Sequence, residues 1–508
     1  MFPGNFVGSS PDKVAVVRPA TGESITYAKL DQLSTKLAHH LRDIGLGRGD
    51  NVAMVSTNDI RMLVTYWAAL RSGMYITAIN NHLTAEETNY ILGDCGAVAL
   101  LASAEAAESV SRSAEVDSVT HRIAWGGALP GFESYDQILD QASDAPLADQ
   151  PRGQDMLYSS GTTGRPKGIK VPLQDGQVDE VPDPYTPVFS AIYGFDSNSV
   201  YLCPAPLYHA APLRYCGMVN SLGGTVVLMD RFEPETALSL IDEYRVTHSQ
   251  WVPTMFIRML KLPEQVRSKY DVSSIEAAIH AAAPCPPDVK RAMIEWWGPV
   301  IGEYYASTEG AGATFIDSAG SLAHPGSVGK PLLGIVRICA DDGSELPTGD
   351  IGTVYFERDE LPFEYHNDSE KTRDAQHPDH PSWTTSGDVG YVDSDGYLYL
   401  TDRKSFVIIS GGVNIYPQEA ENVLIGHPDV FDVGIIGIPD PDLGEVAKAC
   451  VQLEPGITGS DTLAEELISL VRSQLAHYKA PKTVDFVDSL PRTPTGKLVK
   501  RELKKRYA

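Results

Sequence analysis

The chain of 508 residues contains only six cysteines, Cys95, Cys203, Cys216, Cys285, Cys339 and Cys450, and no C-x-x-C pair. Their scatter excludes a disulfide framework and a cysteine zinc site, and it fits a reducing compartment, read here as the cytoplasm. Basic residues are scarce: 41 Lys plus Arg stand against 67 Asp plus Glu, for a formal net charge of -26. That balance argues against nucleic acid or an anionic membrane surface as a partner. The first residues, Met1 to Asn5, carry neither a basic n-region nor an apolar h-region. No later apolar run reaches the length of a bilayer span, so no integral membrane segment is expected. What remains, 43% hydrophobic and 21% charged residues, is the composition of a globular protein too long for one core. An anionic ligand would have to find its cations locally.

Apolar periodicity supplies the elements. Leu30, Leu33, Leu37 and Leu41 recur at helical spacing behind Thr26, a natural N-cap, and stop at Gly45. Strands at 52–55, 75–79 and 98–101 alternate with helices through Met62 to Leu70 and from Thr84 to Leu92. Such alternation predicts a parallel, helix-covered sheet. It resumes with a strand at 225–228, a helix at 234–244, a strand at 246–252, a helix at 286–297 and a strand at 300–304. Between Pro172 and Ser199 the pattern breaks into an acidic, proline-rich excursion, read as a solvated loop in preference to a flap over a substrate pocket. Near Asp402 the character changes again. Strands at 406–409, 433–438, 447–453 and 483–487 with helices at 417–424 and 463–475 make a small α+β domain, so the expected division is 1–402 and 403–508. The fold class is therefore α/β, a large N-terminal domain of helix-covered sheets followed by a small C-terminal α+β domain.

The most informative stretch is Y-S-S-G-T-T-G-R-P-K-G, from Tyr158 to Gly168. Three glycines, four hydroxyl side chains and two cations leave many backbone N–H groups free to face an anion, which is the chemistry of a phosphate cradle. It is not a Walker A loop, because Gly168 follows Lys167 where Ser or Thr would be needed. A second landmark, Glu303 to Gly310, ends a buried strand with Tyr304, Tyr305, Thr308 and Glu309; a hydroxyl beside a carboxylate suits a hard cation and a phosphate oxygen. Small residues fill Ala281 to Pro286. Asp388 offers a carboxylate that can accept hydrogen bonds, and Arg403 offers fixed guanidinium donors. Pro494 to Lys497 sets a lysine in a basic tail. His366, His377 and His380 lie in a polar, proline-rich stretch, where solvated histidines are a simpler account than a metal site.

In this order and spacing the motifs resemble those of the adenylate-forming superfamily: acyl-CoA synthetases, aryl-CoA ligases, luciferases and peptide-synthetase adenylation domains. The closest likeness is to the fatty-acyl-CoA synthetases. The resemblance covers nearly the whole chain. It implies that Ser159, Ser160, Gly161, Thr162, Thr163, Gly164 and Lys167 hold the β- and γ-phosphates of ATP. It implies that Glu309, with Thr162, holds Mg²⁺ and that Thr308 contacts the α-phosphate. Tyr304 or Tyr305 would lie against adenine, walled by Ala282, Ala283 and Pro284, and Asp388 and Arg403 would bind the ribose. His209 would gate the acyl pocket, in which Trp251 to Thr254 take part; the absence of charge in these segments suggests an apolar acid. Lys497 would be the adenylation lysine. Ser405 would be the hinge of a mobile small domain, and Ser410, Gly411 and Gly412 would line the pantetheine tunnel of CoA.

The implied reaction joins a small-molecule carboxylic acid to CoA through an acyl-adenylate, releasing AMP and pyrophosphate. The expected acid is medium- or long-chain, or bulky like a steroid side chain. Other outcomes are a stand-alone acyl-AMP ligase serving a carrier protein, a luciferase-like oxygenase and a non-catalytic nucleotide-binding relative. No carrier domain precedes Ala508, which favours free CoA. A homodimer is compatible with everything above.

Overall fold

In the computed structural model, which describes residues 1–159, 166–492 and 498–507, the expected α/β alternation is present. The chain forms two compact units. One comprises Met1–Trp251, Lys261–Ile279 and Phe363–Thr372; the other comprises Val252–Leu260, His280–Pro362 and Arg373–Ala508.

In the first unit, the strands Asn51–Val55, Tyr75–Ile79 and Ala97–Ser103 pair in parallel, and every residue of the first two is buried. Unbroken apolar runs of this kind are what a parallel sheet covered on both faces requires. Helix starts are set by short polar side chains: Thr26 accepts from the Lys29 N–H, and Thr84 with Glu87 forms a reciprocal capping box. The sheet continues through Gln154–Ser159 to Lys167–Lys170 and Glu364–Tyr365. A second group of strands, ordered Glu23–Thr26, Val14–Arg18, Thr225–Leu228, Val200–Cys203 and His248–Trp251, lies in the same unit.

The 172–199 excursion is a solvated loop only in part: Asp175, Asp179 and Glu180 are exposed, but the segment is anchored and ends in a helix. Val178 is fully buried, Arg152 donates to Val181 O at 3.1 Å, and Thr186–Tyr193 is a helix. Phe189 of that helix meets Tyr215 edge-on, with ring centroids 5.8 Å apart. The apolar residues at 188, 189, 192 and 193 have one helical face, but their prolines and acids dominate the composition.

In the second unit the strands run antiparallel, ordered Ile301–Ala306, Ala313–Ile316, Ser327–Leu333, Leu398–Arg403, Asp388–Val392, Gly352–Glu357 and Ile335–Cys339. The small C-terminal domain has its own sheet, in which Val430–Asp440 pairs with Gly444–Leu453 over almost their full lengths. Leu424, Val430, Ile435, Leu467 and Val471 fill its separate core. The strand expected at 406–409 begins later, at Ile408–Ser410, because Lys404–Phe406 is a 3-10 turn.

Candidate active site

The described site residues fall into two groups, one in each unit. In the first unit, Ser159 ends the strand Gln154–Ser159, and Lys167 opens the next, with Ser159 facing Lys167 and Tyr158 facing Gly168. The strands on either side of the glycine-rich segment are therefore antiparallel neighbours. A Cβ on Gly168 would lie 2.9 Å from Cζ and Oη of Tyr158, so glycine is required where that ring crosses the partner strand. Tyr158 Oη in turn donates to Asp94 at 2.5 Å. The Lys167 ammonium stands 4.6 Å above the Tyr365 ring. Ser160, Gly161, Thr162, Thr163 and Gly164 lie outside the described residues, as does Lys497.

His209 is the N-cap of the helix Ala210–Leu222 and is half-buried, but its Nε2 is sealed from solvent and finds no hydrogen-bond partner among the described residues. Burial pushes its pKa down to about 4. The imidazole is thus neutral at physiological pH, as suits a wall that faces an apolar group. Tyr208 packs beside it, ring centroids 4.6 Å apart. The unfolded chain takes up a proton on this residue near pH 6.5, whereas the folded chain refuses it until about pH 4. Stability should therefore fall as pH drops through that window. His209→Gln is expected to shrink the difference in denaturant midpoint between pH 7 and pH 5; an unchanged difference would show that the imidazole is solvated.

A buried charge cluster that no local sequence pattern announces lies one turn further along the helix that His209 caps. Arg214, five residues beyond His209, makes two hydrogen bonds to Asp155 at 2.6 and 2.9 Å, and Asp155 is 3% exposed. Burial works to lower the Arg214 pKa, but Asp155 outweighs it and the guanidinium stays charged. Asp183, from the excursion, is raised by burial and then by the neighbouring Asp155 charge, with Arg214 and Arg152 opposing. Asp155 lies in the strand that runs into the glycine-rich segment, so one ion pair joins that strand to the helix His209 caps.

In the second unit, Tyr305, Asp388 and Arg403 meet. Asp388 Oδ2 accepts from Tyr305 Oη at 2.6 Å and from Ser386 Oγ at 2.9 Å, and Arg403 Nε lies 3.0 Å from Oδ1. Strand alternation sends Tyr304 to the opposite face, which decides between the two tyrosines for this cluster. Thr308 and Glu309 sit half-buried in a turn closed by Gly310 N–H to Ser307 O at 3.1 Å, with Gly310 at φ 70°. Ser307 Oγ beside them is buried and has no partner among the described residues. Ala282 adopts φ 73°, a left-handed conformation that costs an alanine roughly 1–2 kcal/mol. Ala282 and Pro284 are exposed and Ala283 half-exposed. Behind this loop Glu303 is ion-paired to Lys290, both at most 5% exposed in their side chains, with His280 Nε2 3.9 Å from the carboxylate. Burial raises the Glu303 pKa against the pull of Lys290.

Gly411 and Gly412 form the two-residue loop of a hairpin in which Ser410 pairs with Val413, at φ 57° and 80°. Both positions need the left-handed region that glycine enters freely. His377 is buried, not solvated as expected: its Nε2 contacts Gly343 O at 2.7 Å and its Nδ1 accepts from Asp379 N–H. His380 stacks on Trp383.

Comparison with known proteins places these groups in context. The family model described as AMP-binding enzyme matches residues 5–365, and that of the AMP-binding enzyme C-terminal domain matches residues 419–497. A feruloyl-CoA synthase of Amycolatopsis sp is 35% identical over 495 residues, covering 96% of this chain and 94% of its own. The long-chain-fatty-acid–CoA ligase FadD13 of Mycobacterium tuberculosis is 31% identical, covering 98% and 96%. Among solved structures, ATP-bound MatB from Rhodopseudomonas palustris superposes with a TM-score of 0.82 at 28% identity, covering 100% of this chain and 99% of that one.

Proposed function

Because the chain belongs to the AMP-binding enzyme family, whose members include ATP-dependent acid–CoA ligases, we propose that it activates an apolar carboxylic acid and transfers it to CoA. The observation that carries the choice of acid is the wall at His209. Its imidazole is neutral, Tyr208 and Leu213 beside it are buried, and the nearby cation, Arg214, is already neutralised by Asp155. A second carboxylate or an ammonium on the substrate would bear its own desolvation cost against such a wall. The two named relatives act, by their names, on an aryl acid and on long-chain fatty acids, both of which present such an apolar body. Ranking kcat/KM over aryl, long-chain and steroid-side-chain monoacids against dicarboxylic and amino acids tests the reading. Preference for a dicarboxylate would overturn it.

The roles we assign follow the charge that each step develops. Lys167 and the glycine-rich segment, Ser160 to Gly164, bind the β- and γ-phosphates, which sets the α-phosphorus in line with the incoming carboxylate. Asp388, kept in place by Tyr305, Ser386 and Arg403, holds the ribose. Tyr304 and the loop at Ala282 to Pro284 receive the adenine, and Thr308 contacts the α-phosphate. The half-buried Glu309 carboxylate beside the orphaned Ser307 hydroxyl suits a hard cation, so Glu309, with Thr162, would hold Mg²⁺, which neutralises phosphate charge. Lys497 neutralises the charge that builds as the carboxylate oxygen attacks and pyrophosphate leaves. In the second half-reaction the CoA thiol attacks the acyl carbonyl and AMP departs. We place the domain boundary at 402/403 and the pivot at the exposed Ser405 in the 404–406 turn, so that the small domain serves the two steps in turn. The cytoplasm is the compartment we assign.

Gly411 belongs to the second step in this scheme. A Cβ there already approaches Leu443 Cδ2 to 3.2 Å, so a large side chain must project into the path of a thin pantetheine arm. Gly411→Trp is expected to slow thioester formation by at least roughly tenfold more than adenylation, as a displaced or blocked reactant costs. Gly411→Ala, carrying the same backbone strain without the bulk, separates strain from obstruction. Unimpaired thioester synthesis in the tryptophan variant would remove Gly411 from the tunnel.

A further inference from the structure

Lys500 opens the helix Lys500–Tyr507, yet it is only 6% exposed, and no step above uses it. Its Nζ lies 2.8 Å from Oε1 of Glu421, itself 7% exposed on the helix Pro417–Leu424; the pair is close but poorly aligned for a hydrogen bond. The same ammonium stands 5.3 Å from the centroid of the Phe406 ring, at the end of the 404–406 turn. Asp402, the residue before Arg403, completes the group. Burial raises its pKa and the Lys500 charge opposes that, while Asp402 Oδ2 accepts from Gln418 N–H in the first turn of the 417–424 helix, at 3.3 Å. A buried cation therefore faces an acid of the small domain, an aromatic ring of the turn and the carboxylate at the end of the Leu398–Arg403 strand.

The place of Lys500 in the sequence gives this arrangement a purpose. It follows Lys497 by three residues, on the limb that leaves the segment 493–497. The two ends of that segment are tied: Arg492 bridges antiparallel to Leu498, and Val499 N–H donates to Pro491 O at 2.8 Å. Each limb then carries a basic residue with an acidic seat. Arg492 makes two 2.5 Å bonds to Asp432, and Lys500 meets Glu421. An ion pair of low exposure is a poor way to gain stability, because desolvation offsets most of its attraction. It is a good way to fix a register, since a shifted limb would leave a buried charge unpaired.

We propose that Lys500 is a positioning residue for the adenylation half-reaction, and that its seat between Glu421 and Phe406 fixes the limb that follows Lys497 in the chain against the turn that follows Arg403. The inference rests on the assignment of Lys497 made above. A long side chain that must meet a developing charge tolerates little displacement, and a shift of about 1 Å can cost up to roughly a hundredfold. The thioester step does not use Lys497 and is spared.

The test uses the full chain as Lys500→Met, Lys500→Arg, Phe406→Leu and the Lys500→Met/Phe406→Leu double variant, with Lys497→Ala alongside. Acid-dependent exchange of pyrophosphate into ATP reads adenylation; preformed acyl-adenylate plus CoA reads the second step. Lys500→Met should slow adenylation about tenfold, with the second step within about twofold of the parent. Lys500→Arg, which keeps the charge, should recover most of the loss. Phe406→Leu should slow adenylation less, and the double variant should be no worse than Lys500→Met. Unchanged adenylation in Lys500→Met, or equal loss of both steps, overturns the proposal. If Lys500→Met fails to fold, Phe406→Leu decides alone, because it keeps the apolar bulk of a half-buried residue. Should Lys497→Ala leave adenylation intact, the assignment of Lys497 fails. Should it abolish adenylation while Lys500→Met and Phe406→Leu are neutral, the present inference alone fails.

Discussion

Lys497→Ala is expected to slow acyl-adenylate formation by roughly a hundred- to a thousandfold while leaving thioester formation from preformed acyl-adenylate near the parent rate. The asymmetry follows from the charge in each step. Carboxylate attack on an α-phosphate brings two anions together, and the cation that meets them contributes most in the transition state, where the charge is most concentrated. Thiol attack on a mixed anhydride expels AMP from a carbonyl already activated, and the lysine has no comparable charge to neutralise there. Single-turnover measurements of each half-reaction check this. Equal loss of both would contradict a scheme in which a turning domain presents different residues to each step.

Arg214→Met should destabilise the fold by about 3–5 kcal/mol, the cost of stranding a buried charge by removing its partner. Asp155 is almost completely enclosed, and besides its two bonds to Arg214 it accepts from Gln154 Nε2 at 3.1 Å, a neutral donor that does not replace the cation. With the guanidinium gone, the Asp183 carboxyl, already raised by burial and then by the neighbouring Asp155 charge, loses one of the cations that oppose the rise, so the native state binds a proton that the unfolded state does not hold. Native stability then falls as pH rises through the raised pKa, and the deficit of the variant should be greatest near pH 7 and narrow toward pH 5. Adding Asp155→Asn should recover part of the loss. Denaturant midpoints at the two pH values measure all three effects; a variant within about 0.5 kcal/mol of the parent would show the pair to be solvated.

What the sequence made legible, and what it did not, follows from the range over which each feature is encoded. The strands Tyr75–Ile79 and Thr225–Leu228 and the helices Pro234–Tyr244 and Pro417–Leu424 are encoded within a few residues of themselves, and the expected positions agree with the structure. The meeting of Asp388 with Arg403 was readable because both belong to local motifs, and the two strands that carry them are neighbours. Tyr305 was distinguishable from Tyr304 only once the strand had a face. In the excursion at 172–199 the exposed acids and the prolines are locally legible as a loop, whereas the helix Thr186–Tyr193 and the buried Val178 are not. Asp183 is enclosed by residues from elsewhere: Arg152 lies 31 positions before it and Arg214 31 positions after it, and no local pattern reports such a partner. Lys500 was hidden for the same reason, as one cation in a basic tail whose seat at Glu421 is 79 residues away.

The most direct measurement is mass-spectrometric identification of the products formed from ATP, Mg²⁺ and a panel of apolar monoacids, with and without CoA. The proposed function predicts acyl-adenylate and pyrophosphate in the absence of CoA, and acyl-CoA with stoichiometric AMP in its presence. Formation of ADP and phosphate, or an acyl-adenylate that persists untouched in the presence of CoA, would contradict it.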